Sequence, residues 1–178
     1  MLNDAAKTGL SFGLTSGIIT TLGLIVGLHS GPHSKVVVIG GILTIAVADA
    51  FSDALGIHVS QESQNRHSTK SIWESTLATF VAKFIVALTF VIPIVLLPMG
   101  IAVVASVLWG LLLLAGFSFF MAREQGVSTW GVVAEHVLIA FVVIVITHYL
   151  GVWLAEMFSD GPSASGLSNA QSRPSITI

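Results

Sequence analysis

Five apolar runs, each about 20 residues or longer, decide what this chain can fold into. They cover about residues 9–28, 36–57, 73–97, 100–121 and 129–157. A helix rises 1.5 Å per residue, so a run of about 20 residues crosses the ~30 Å hydrocarbon layer of a bilayer. The expected fold is an all-α integral membrane protein with five transmembrane helices. Composition agrees, with 54% hydrophobic and 9% charged residues, against about a quarter charged in a soluble domain. A net charge of −2 offers no basic field for nucleic acid. With no cysteine, disulfides and thiolate metal sites are excluded. The opening "MLNDAAKTGL" leads into a run long enough to span, so no cleavable signal is expected.

The breaks between runs have chemical causes. "HSGPHSK", residues 29–35, is a Gly-Pro turn, and "QESQNRHSTKS", residues 61–71, is a polar linker. Pro93 and Pro98 bracket "IVLL" and predict a bent end to the third span with a tight turn into the fourth. The Ser/Gly/Pro-rich segment 159–178 is expected to be a disordered polar tail. Lys7, Arg66, Lys70 and Arg123 fall on one side of the membrane, and Lys35 and Arg173 on the other. That bias predicts a cytoplasmic N-terminus.

Charged residues inside the spans point to function. Asp49 and Asp53 lie one turn apart on one face of the second helix, a face that Gly56 and Ser60 continue. Carboxylates at this depth are costly and usually face a cavity or a partner. Two together repel unless a cation or a proton joins them, so the pair reads as a cation site or a proton relay. Lys83 complicates this. Taking Arg66 as the centre of the linker, Asp49 lies 17 residues before it and Lys83 17 after. A hairpin therefore puts them at similar depth, and Lys83 is expected to neutralise Asp49 or Asp53. Thr76 and Thr79 share the Lys83 face and extend the polar lining.

Other polar groups carry weaker signals. His148 in "VITHYLG" is a candidate ligand or a hydrogen-bond donor to a neighbouring helix. His58 lies away from the Asp face but precedes Glu62 by four residues, a spacing that allows an access-side ligand pair. Gly9, Gly13 and Gly17, then Gly23 and Gly27, repeat every four residues in the first helix. Such steps let helix backbones approach closely, either inside the protomer or at a subunit interface. No nucleophile–base set or phosphate loop is visible, and an enzyme is not expected.

The motif order resembles the vacuolar iron transporter family. "GLTSGIITTLGLIVGL" is similar to its first-helix pattern, with Gly13, Gly17, Thr20, Thr21, Gly23, Leu24 and Gly27 in register. "AVADAFSDALGIHVSQESQ" resembles its second helix at Ala48, Ala50, Ser52, Ala54, Gly56, Ser60, Ser63 and Gln64. The resemblance implies a homodimer through the glycine-rich first helix, and export of Fe²⁺ or Mn²⁺ from the cytoplasm by proton exchange. The metal is cargo, and no permanently bound cofactor is implied. The chain departs from the pattern where Ser16 replaces an Asp, Asp53 a Met, Asp49 a Gly and Ile57 a Glu, and it lacks the acidic cytosolic helices of many members. A carboxylate has in effect moved from the first helix to the second, favouring harder ions such as Mn²⁺. The expected ligands are Asp49, Asp53, Ser16 and Thr20, with Lys83 or Asp49 serving charge balance and proton coupling. The alternative is a metal-inactive protein of the same fold, with a structural or proton-relay Asp/Lys cluster. Transport of an amine or carboxylate solute is a third option. Short loops fit a prokaryotic plasma membrane.

Overall fold

The structure, a computed structural model, describes residues 4–31 and 34–159. The segment expected to be a disordered tail lies, from residue 160 onward, outside the described residues, as do Pro32 and His33 of the first turn. Among the described residues six helices follow in order: α1 (Asp4–Ser30), α2 (Lys35–Ser63), α3 (Thr69–Thr89), α4 (Val91–Leu96), α5 (Met99–Gln125) and α6 (Thr129–Ser159). There is no strand among the described residues. α3 and α4 form one interrupted span, so five helices are long and apolar enough to cross a membrane.

Local chemistry sets the helix ends. The Ser68 hydroxyl accepts the Ser71 N–H at 3.2 Å and caps the start of α3. Ser34 accepts the Val37 N–H at the start of α2 in the same way. Gly126, with φ 69°, ends α5 in the left-handed region that favours glycine. Pro93 has no N–H, so the Thr89 carbonyl loses its helical partner. The helix accordingly breaks at Phe90, a turn ahead of the proline. Leu97 is extended, as the residue before a proline prefers, and Pro98 opens α5.

α1 is the central helix and touches α2, α3, α5 and α6. Its glycines explain how. Along the parallel seam with α3, Gly9 faces Ser75, Gly13 faces Thr79 and Gly17 faces Lys83. A Cβ on Gly13 would sit 2.5 Å from the Thr79 carbonyl oxygen. Thr79 Oγ1 also donates across the seam to the Gly9 carbonyl at 3.1 Å. Farther along, Gly23 and Gly27 face Thr147 of α6, and a Cβ on Gly151 would collide with the Gly27 carbonyl. The first-helix glycines are occupied by α3 and α6 of the same chain, because only a hydrogen at these positions lets three helices meet.

The apolar core runs through Ile18, Leu22 and Ile25 of α1, Ile42 of α2, Phe90, Ile94 of α4 and Leu114 of α5, all nearly fully buried. α6 is peripheral, with only Ala140 and Gly151 buried among its described residues. One end of the bundle gathers the start of α1, the α2–α3 linker and the end of α5, where Lys7 pairs with Glu124. At the other end Lys35 Nζ donates to the Val95 and Leu97 carbonyls at 3.0 and 3.1 Å. The ammonium thereby satisfies carbonyls that the short α4 leaves open.

Candidate ion cluster

α1, α2 and α3 meet around one buried ammonium. Lys83 Nζ pairs with Asp53 Oδ2, lies 2.7 Å from Asp49 Oδ2 and donates to Ser16 Oγ at 2.8 Å. Ser16 in turn donates to Asp53 Oδ2 at 2.5 Å. An ammonium has three donors, and here three oxygens from two other helices surround it. The Asp49 contact is electrostatic. Its Oδ2 is buried and makes no aligned hydrogen bond among the described residues. Lys83 is 2% exposed, whereas the Asp49 and Asp53 side chains keep 31% and 21% of their surface. The accessible part of the cluster is therefore its carboxylate side.

The glycine seam delivers the lysine. A Cβ on Gly17 would lie 3.1 Å from Lys83 Cγ, so a larger residue there would push the aliphatic stem away from Ser16. Asp49 and Asp53 face inward because they share one side of α2, and α3 supplies the cation from the next helix. The sequence left Lys83 with one carboxylate or the other; the structure gives it both. An unpaired buried charge would be strongly disfavoured, and the triad is charge-compensated apart from one residual negative charge.

The other singled-out residues lie elsewhere. Thr20 Oγ1 donates to the Ser16 carbonyl at 2.9 Å, back onto its own helix. Thr79 bonds the Ser75 and Gly9 carbonyls, and Thr76 bonds the Ile72 carbonyl, so neither hydroxyl lines the cluster. His58 Nδ1 shares a hydrogen bond of 2.9 Å with Thr76 Oγ1, and its ring meets Trp73 edge-on. Glu62 is exposed, and His58 is turned to α3 rather than to it. His148 Nδ1 is 2.7 Å from Ser30 Oγ and ties α6 to α1. Among the described residues, no three His, Asp or Glu side chains converge as a metal set. One feature is not apparent from the sequence. Gln61, assigned to the linker, is buried and accepts the Ser75 hydroxyl at 2.5 Å. Its spacing of eight from Asp53 was the available signal that α2 continues on the same face.

Chemically, the cluster holds two carboxylates and a hydroxyl around a point now taken by a positive charge. Oxygen donors of this kind suit hard cations, which take six or more oxygens. The three groups of one chain would thus form part of such a shell.

Residues 10–72 match the family model described as the VIT family. The resemblance read from the sequence holds over that segment, which includes Ser16, Asp49 and Asp53 and stops short of Lys83. No curated protein and no solved structure gives a significant match.

Proposed function

We propose that this chain, a member of the VIT family of membrane metal-ion transporters by its residues 10–72, exports Fe²⁺ or Mn²⁺ from the cytoplasm in exchange for protons. The observation that carries this reading is the Lys83 ammonium held by Asp49, Asp53 and Ser16. A cation already occupies the point that a metal would take. Asp53 acts as the principal ligand, Asp49 as second ligand or proton carrier, and Ser16 as a weak oxygen ligand, with Thr20 one turn farther along α1. Lys83 is the tethered counter-cation that an arriving metal displaces and that returns when the metal leaves. Charge balance is kept in both states, which a bilayer interior requires.

A homodimer would complete the shell. The face of α2 bearing Gly40, Thr44, Ala48 and Ser52 is exposed, and nothing lies within 4 Å of a Cβ on Gly40. Small residues at this spacing favour close helix contact in lipid, and the half-open carboxylates lie on the same helix. The basic residues at the linker end support a cytoplasmic position for that end. The short connections fit a prokaryotic plasma membrane.

A second reading rests on the same ammonium. With Lys83 already satisfied, the triad serves as a structural clamp or a proton relay and no metal crosses. Proteoliposomes holding a pH-sensitive dye, with Mn²⁺ or Fe²⁺ outside, separate the two. Metal flux with linked proton movement, lost in Asp53→Ala, is the expected result. A folded wild-type protein that moves neither ion would remove the export reading and leave the relay or clamp.

A further inference from the structure

The α1–α2 seam has a regular register. Ser16 bonds Asp53, and a Cβ on Gly41 would press on the Leu28 side chain, so the two helices run antiparallel in step. Moving from the cluster toward the α2–α3 linker one turn at a time, Ser16/Asp53 gives way to Phe12/Ile57 and then to Thr8/Gln61. The middle layer is apolar, and the layers on both sides are polar. Just beyond it, a crevice of about 500 Å³ opens between the helices, and Thr8, Phe12, Ile57, Ser60, Gln64 and His67 line it. Phe12 is 45% exposed and also borders a second crevice of about 510 Å³ beside Lys7 and Glu124. Water at the linker end therefore reaches Phe12 from two sides, while the carboxylates lie one turn behind it.

We propose that the α1–α2 crevice is an aqueous antechamber for a hydrated divalent cation and that Phe12, facing Ile57, is the apolar gate between it and Asp53. Beside the apolar Phe12 and Ile57, its polar lining groups are hydroxyl, amide and imidazole. They hydrogen-bond the ion's water shell without stripping it, whereas the carboxylates behind can replace those waters. An apolar constriction holds back a hydrated ion by dewetting and yields when its side chain swings aside. This inference rests on the cation-transport reading for its occupant, while the gate is tested without reference to transport.

The chain has no cysteine, so single thiols report access directly. Arg66→Cys marks the linker face, Ser60→Cys lies in the crevice and Ser16→Cys lies behind Phe12. A membrane-impermeant cationic methanethiosulfonate is applied to the linker face of vesicles, with each variant first checked for folding by size-exclusion chromatography. Ser60→Cys should react about as fast as Arg66→Cys, and Ser16→Cys at least ~10-fold more slowly. Adding Phe12→Ala should remove most of that lag, and adding Phe12→Leu, which keeps an apolar plug, should preserve it. Equal reaction of Ser16→Cys and Ser60→Cys with Phe12 intact, or a lag unaffected by Phe12→Ala, overturns the gate. Failure of Ser60→Cys to react overturns the antechamber. Absent Mn²⁺ flux in the wild type with the lag intact overturns the cation occupant and leaves the gate standing.

Discussion

Lys7 and Lys83 each meet an acid across a helix seam, and their surroundings give them opposite roles. Lys7 and Glu124 join α1 to α5 at the rim, with 40% and 46% of their side chains exposed. Water screens that pair, so it adds little to stability. Lys83 is 2% exposed and has two carboxylates and a hydroxyl around it. There, loss of one partner leaves a charge with nothing to replace it. The same two functional groups make a surface tether in one place and the centre of a buried cluster in the other.

The sharpest way to break this contrast is Lys83→Met. It leaves Asp49 and Asp53 facing each other without a cation, and a loss of about 3–5 kcal/mol is expected, read as a lower unfolding midpoint in detergent. Adding Asp49→Asn and Asp53→Asn should restore most of it. An unchanged midpoint in Lys83→Met would mean that the interior trio is no more consequential than the rim pair. Next comes Gly13→Val, which places side-chain atoms against the Thr79 carbonyl and forces α1 from α3. A cost of about 1–3 kcal/mol is expected, while Gly40→Val, on open surface, should be silent in the isolated protomer. Ser16→Ala removes one acceptor from Nζ and one donor to Asp53. About 1 kcal/mol is expected by the same measurement, and full stability would show that Ser16 is a bystander. Smallest of all, Lys7→Ala should leave the midpoint unchanged at high salt, where the rim pair is screened. A clear drop there would erase the contrast.

Much of the cluster is legible in the sequence. Helical spacing put Asp49 and Asp53 on one face, and counting from Arg66 put Lys83 at their depth. The count could not say that Lys83 reaches both carboxylates. Depth follows from residues along the chain, but rotation about the helix axis is set by what α3 leans on. It leans on Gly9, Gly13 and Gly17 of α1, a contact between segments far apart in sequence. The same gap explains Thr76 and Thr79. They share the Lys83 side of α3, yet their hydroxyls find nearer carbonyls and His58. Glycine spacing told that a close contact exists and was silent on the partner, since α3, α6 or a second subunit would satisfy it equally.

The sequence by itself determined the number of the spans, the proline-broken end of the third, and the depth at which charge is buried. These depend on local hydrogen bonding and on hydrophobic length, which are properties of contiguous residues. Only the tertiary structure decided that the glycine face is filled from within the chain, that one lysine serves two aspartates, and that a crevice opens between α1 and α2 at the linker end. Those are matters of helix rotation and register, fixed by side chains that meet across seams rather than along them.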